Sequence, residues 1–297
     1  MIVFTSIWFR ALMTMLLWIG LTWCHSIQAN GLALWPLNTS LKISHPIESS
    51  KNIRYGPLKH QKLNVYGQNA DTIKPVVMFI YGGGWNKGKK NHYHFVADAL
   101  VRRGYLVVIA DYIKFPEGRF PTFIEDIAQA VAWTKTHIAQ YGGDPEQLFL
   151  TGHSAGAHTG ALLISDASYL NAVGLQPTDI MGFAGLAGPY NFTPEYHRFV
   201  KTFGQANFKR MKVNNHVNGD EPPVLLLHSR NDRVVGQFNF DTFRNQLQAR
   251  GGQVKAVLFD DPGHVGMVMK IHPWFADDVN LTDHMDDFFQ SLMNKAP

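Results

Sequence analysis

Cysteine is the scarcest residue of this 297-residue chain: there is one, Cys24. It lies within an apolar first stretch, so the rest of the chain is expected to form no disulfide. Stability must then come from a core, which a chain of this length can supply. Charge is sparse as well. Asp, Glu, Lys and Arg make up 17% of residues, and the net charge is only +4. No run of like charges marks a tail, and no basic stripe offers a nucleic-acid surface, so no nucleic-acid partner is expected. Internal repeats and low-complexity tracts are also missing. The hydrophobic fraction of 45% is that of an ordinary globular protein.

Residues 2–23 are almost wholly apolar, with Arg10 as their charge. "ALMTMLLWIGLTW" reads as the hydrophobic stretch of a secretory signal, and "SIQA", ending at Ala29, as its cleavage site. The expected organisation is therefore a leader over 1–29 and a single α/β domain over 30–297, exported to the periplasm or beyond. Ile27 sits where a smaller residue is preferred, so an uncleaved membrane anchor is the rival reading. Trp23 before Cys24 argues against lipidation.

From residue 73 onward, short apolar runs alternate with helical patterns. "IKPVVMFIY" (73–81), "YLVVIADY" (105–112), "QLFLTG" (147–152), "IMGFAGLAG" (180–188), "PVLLLHS" (223–229) and "KAVLFD" (255–260) are near-continuous in apolarity. Continuity rather than alternation predicts strands covered on both faces, as in a parallel sheet. "FVADALVRRG" and "TFIEDIAQAVAWTKTHIAQYGG" carry helical spacing and end at Gly104 and Gly142. The Asp144-Pro145 pair signals a turn. The pattern predicts a doubly wound α/β fold with right-handed crossovers. Residues 40–70 are expected to add antiparallel edge strands, and 190–221 a small lid-like excursion.

"LFLTGHSAGAHTGALL" (148–163) carries the chemistry. A strand runs into Gly152-His153-Ser154-Ala155-Gly156 and then a helix, the context of a nucleophile elbow. Ser154 needs a tight turn that lifts its hydroxyl above the sheet, and Gly152 and Gly156 let strand and helix close together. A serine hydroxyl needs a base. In such a fold the acid and the histidine follow in order on loops after later strands. "SRNDRVV" offers Asp232 and "DPGHVG" offers His264, with Asp260 and Asp261 as reserve candidates for the acid. His153 and His158 flank the serine and are expected to point elsewhere. His92 and His94 lack the carboxylates or cysteines of a metal site, so no metal is expected.

"YGGGW" (81–85) follows the 73–81 strand. Consecutive glycines expose N–H groups without side chains in the way, which suits an oxyanion hole. Gly83, Gly84 and Ala155 are the expected donors, with Gly82 supporting the turn. Trp85 and Tyr190 are expected to line the substrate site. Phe192, Tyr196, Phe199, Phe203 and Phe208 are further candidates to roof it, although aromatics most often fill cores. Glu125, Asp126 and Trp133 read as capping and packing residues.

"YGGGW", "YGGDPEQLFLTGHSAGAH", "GLAGPYNF", "GDEPPVLLLHSRNDRVV" and "DPGHVGMVM" together resemble the α/β-hydrolase carboxylesterases, over roughly residues 50–292. The likeness is to the bacterial esterase group related to isoprenylcysteine methylesterase and kynurenine formamidase. That resemblance implies a cofactor-free Ser–Asp–His triad acting on a small ester. A formamidase-type amide hydrolase and a non-catalytic binding member of the fold are the alternatives. Tyr81 stands where the hormone-sensitive-lipase pattern has histidine.

Overall fold

The structure is a computed structural model that describes residues 38–39, 41, 46–69, 72–276 and 280–294. The expected leader and Cys24 lie outside the described residues. The strands are β1 (Ser49–Arg54), β2 (Lys62–Tyr66), β3 (Lys74–Ile80), β4 (Leu106–Ala110), β5 (Gly143–His153), β6 (Gly182–Leu186), β7 (Val224–Ser229) and β8 (Val254–Phe259). The helices are α1 (His94–Val101), α2 (Thr122–His137), α3 (Ala155–Ser165), α4 (Ser168–Asn171), α5 (His197–Phe203), α6 (Phe238–Ala249), α7 (His264–Met269) and α8 (Leu281–Met293).

All eight strands form one sheet in the order β1-β2-β4-β3-β5-β6-β7-β8. β1 and β2 pair antiparallel, as does β2 with β4, and from β4 to β8 neighbours run parallel. The valine- and isoleucine-rich runs of β3 and β4 are buried on both faces. Along β6 the faces alternate. Gly182 lies beneath Leu292 and Phe288 of α8, whereas Phe183 packs on Gly160 of α3. The two helices therefore cover opposite sides of the sheet. Gly104 and Gly142 follow the α1 and α2 segments with φ of +91° and +82°.

Two local expectations change. β8 is an edge strand, so Lys255 is exposed and its neighbours are only half-buried. Its apolar run does not mark a strand covered on both sides. Asp144-Pro145 does not end a turn before the strand; it lies inside β5. The turn chemistry survives as an irregularity, with Asp144 accepting the Glu146 N–H while pairing with β3 slips between Pro75 and Val76.

The carboxyl ends of β3, β5, β7 and β8 bring residues 82–84, Ser154, Asp232 and His264 to one rim of the sheet. Segment 190–221 contributes α5 and short 3₁₀ turns at Gln205–Asn207 and Val213–Asn215. Among the described residues no helix is long and apolar enough to cross a membrane.

Candidate active site

Ser154 joins β5 to α3 with φ +56° and ψ −123°, a conformation L residues rarely adopt. The approach of strand to helix explains the glycines around it. A Cβ on Gly156 would stand 1.9 Å from the Ile80 carbonyl oxygen, and one on Gly152 would meet the Gly156 backbone at 2.6 Å. Neither position tolerates a side chain. The Ser154 N–H donates to the Leu186 carbonyl at 2.9 Å, tying the turn to β6.

His264 Nε2 lies 2.9 Å from Ser154 Oγ, and His264 Nδ1 lies 2.7 Å from Asp232 Oδ2. The three side chains, far apart in sequence, form one hydrogen-bonded line. Asp232 Oδ1 is held in turn by the N–H groups of Val234 and Val235, at 2.8 and 2.9 Å. Burial pushes the Asp232 carboxyl toward protonation, but the hydrogen bond and charge of His264 and these two amides outweigh it. The net direction is below the usual carboxylate range. The reserve acids lie elsewhere. Asp260 is exposed and pairs with Arg230 at 3.0 Å, and Asp261 contacts Asn231.

The 82–84 turn sits beside the serine. A Cβ on Gly82 would approach Ser154 Cβ at 3.0 Å. Gly83 and Gly84 have φ of +121° and +57°, which glycine adopts freely. The Gly83 carbonyl accepts from the N–H groups of Asn86 and Lys87. Among the described residues, the amides of Gly83, Gly84 and Ala155 donate to no protein acceptor. Tyr81 anchors the turn from below. Its hydroxyl donates to Asp111 Oδ1 at 2.8 Å and accepts from Lys114 Nζ at 2.9 Å. Burial, then the Asp111 charge, hold this phenol far above its ordinary pKa, so it stays a donor. Asp111 also receives the Lys90 N–H and ammonium. Tyr112 donates to the Tyr81 carbonyl.

His153 departs from its expected place. It does not point away: its Nε2 lies 2.9 Å from the His264 carbonyl oxygen, with the rings 4.8 Å apart. Its position directly before Ser154 was the available signal, since the elbow that exposes one side chain fixes the preceding one beneath the rim. His158 does turn away, to the Met211 carbonyl.

Trp85 is 2% exposed and boxed by Phe123, His158, Phe192, Phe199 and Phe203. The expectation that it lines the substrate site is corrected: these rings close over it next to the glycine turn and leave it no free surface. Tyr190 is 1% exposed, packed on Phe243 and over Gly185 and Gly188. The expectation that it lines the substrate site is corrected: the small residues beneath draw its ring into the core and leave it no free surface. Tyr196 is exposed, whereas Phe203 is buried. Sequence reasoning missed Arg198 of α5, whose Nη1 donates to Asn86 Oδ1 of the glycine turn at 3.0 Å. Among the described residues no three His, Cys, Asp or Glu side chains gather as metal ligands.

The BD-FAE family model matches residues 63–173, the stretch that holds the glycine turn and Ser154. Isoprenylcysteine alpha-carbonyl methylesterase of Arabidopsis thaliana is 27% identical over 258 residues, covering 77% of this chain and 60% of the relative. Esterase LipQ of Mycobacterium tuberculosis is 29% identical over 227 residues, 68% of this chain and 53% of the relative. The chain thus spans little more than half the length of the curated relatives it matches. Among solved structures, esterase B from Lactobacillus rhamnosus superposes with a TM-score of 0.72 at 20% identity, covering 89% of this chain and 94% of that one. A carbohydrate esterase from gut microbiota gives 0.72 at 19%, covering 84% and 97%. With the 1-2-4-3-5-6-7-8 sheet, the elbow and these relatives in view, the chain is an α/β-hydrolase-fold protein homologous to isoprenylcysteine methylesterases and mycobacterial esterases.

Proposed function

We propose that this protein is a serine hydrolase that cleaves carboxylic esters through an acyl-enzyme. The observation that carries the reading is the continuous line from Asp232 through His264 to Ser154 Oγ, with contacts of 2.7 and 2.9 Å. Esterase relatives support the reaction class.

Ser154 Oγ attacks the ester carbonyl while His264 Nε2 takes its proton. Negative charge develops on the carbonyl oxygen and meets the amides of Gly83, Gly84 and Ala155. Collapse of the tetrahedral intermediate breaks the ester C–O bond, and the His264 Nε2 proton goes to the departing alcohol. Water then attacks the acyl-serine, giving its proton to His264, and the acid leaves as Ser154 recovers its proton. Asp232 stays ionised, keeps the Nδ1–H tautomer and stabilises the imidazolium. Export of the protein, by a leader over 1–29 or anchored by it, belongs to the same proposal.

The test is turnover of p-nitrophenyl acetate and butyrate beside N-formylkynurenine. Ester turnover that disappears in Ser154→Ala is the expected result. Formamide turnover without ester turnover would make the protein an amide hydrolase instead. No turnover of either would favour a binding role.

A further inference from the structure

Arg198 reaches from α5 to the glycine turn, and three contacts fix its head. Nη1 donates to Asn86 Oδ1 at 3.0 Å. The guanidinium lies over the Phe199 ring, 4.5 Å from its centroid. Nη2 lies so close to Gly84 that a Cβ built there would stand 3.3 Å away. Among the described residues no carboxylate pairs with it. Arg198 is partly exposed.

An idle surface arginine keeps its head mobile in water and loses no entropy to a fixed pose. This one has its guanidinium carbon 4.5 Å from the Phe199 ring centroid, beside the bare backbone to which the proposed mechanism brings the ester carbonyl. A guanidinium offers five N–H donors in a rigid fork that matches a carboxylate. The bond to Asn86 uses one of them. Among the described residues its other N–H groups meet no hydrogen-bond acceptor, and partial exposure keeps the cost of desolvating an incoming anion low.

We infer that Arg198 is a carboxylate receptor and that the preferred substrates are esters whose acyl part carries a second, ionised carboxyl group a few bonds from the carbonyl, as in half-esters of short dicarboxylic acids. The inference rests on the ester-hydrolase reading above and names the substrate class of that site.

The experiment compares mono-p-nitrophenyl succinate with p-nitrophenyl butyrate on the full chain, after subtraction of uncatalysed hydrolysis. The two share a leaving group and differ chiefly in the carboxylate. The wild-type protein is expected to favour the anionic ester in kcat/KM by roughly tenfold, the scale of a charge-assisted hydrogen bond. Added salt should raise KM for that ester alone. In Arg198→Gln the preference should fall to about parity, with Arg198→Lys between the two. Loss of the Asn86 contact slows both esters by the same factor and cancels in the ratio. A wild-type ratio at or below one, or a ratio unchanged in Arg198→Gln, overturns the inference while leaving the ester-hydrolase reading intact. A protein inert toward both esters overturns that reading and the inference with it. Should Arg198→Gln fail to fold, the salt dependence of the wild-type ratio decides alone, and a salt-independent ratio overturns the inference.

Discussion

The His153 ring donates through Nε2 to the backbone carbonyl of His264, 2.9 Å away and 111 residues on in sequence. The residue before Ser154 thus holds the main chain of the residue whose Nε2 faces the Ser154 hydroxyl and, in the proposed mechanism, takes its proton. The bond requires the Nε2–H tautomer. Burial, then the charge of His264, lowers the His153 pKa to about 3, so the ring stays neutral in the working range. We expect His153→Leu to lower kcat about tenfold with KM little changed, since the His264 ring would lose its register on Ser154. His153→Gln, which keeps a donor at similar reach, should recover most of the rate. Steady-state kinetics on a p-nitrophenyl ester check this; equal impairment of the two variants would sink it.

The same burial predicts an acid limit to stability. His158, sealed on the Met211 carbonyl, is lowered to about 4 by burial. His153 and His158 are neutral when folded, but each takes up a proton at about pH 6.5 once unfolded. The unfolded state therefore binds more protons below that pH, and stability falls as pH drops from about 6.5 toward 4. The Asp232 direction adds to this at still lower pH. The loss should reach several kcal/mol, because every tenfold difference in proton affinity between the folded and unfolded states is worth about 1.4 kcal/mol. Thermal melts at pH 7, 6, 5 and 4 check it, and His158→Gln should flatten the decline.

Asp232→Asn should fold and yet lose about 10³–10⁴ of kcat. The Asn carbonyl can replace Oδ1 under the Val234 and Val235 amides. Its NH₂ group then faces His264 Nδ1 and forces the proton onto Nε2, where it can no longer accept from Ser154. Asp260→Asn and Asp261→Asn, whose carboxylates lie on Arg230 and Asn231, should keep nearly full activity. Rates for the three variants, with melts to confirm folding, separate the assignments.

Much of this site was legible because its signals are local. The elbow announces itself in "GHSAG", and the order of Ser154, Asp232 and His264 follows from strands that are each a continuous apolar run. What was illegible depends on which distant residues meet. Nothing near Arg198 in sequence points to Asn86, 112 residues away. Tyr190 looked like a wall residue, but Gly185 and Gly188 leave a hollow that takes its ring inward. The apolar run of β8 carries no mark of its edge position, which the sheet order decides.

Tyr81→Phe tests whether the glycine turn is held from below. Removing the hydroxyl takes one donor from Asp111 Oδ1 and one acceptor from Lys114, while the ring keeps its stacking between Tyr93 and Tyr112. The core should survive with a stability loss of about 1–3 kcal/mol, the cost of leaving buried polar groups short of a partner. Asp111 still receives Lys90, but the link from Asp111 to the strand end before Gly82 is gone. The amides of Gly83 and Gly84 should therefore lose their fixed aim. Donors that must meet charge appearing only in the transition state act on kcat more than on KM. We expect kcat to fall about tenfold at nearly constant KM, read on p-nitrophenyl butyrate beside a thermal melt. A variant that melts lower yet keeps its kcat would show that the hydroxyl serves the fold alone and that the Tyr112 bond to the Tyr81 carbonyl suffices to aim the turn.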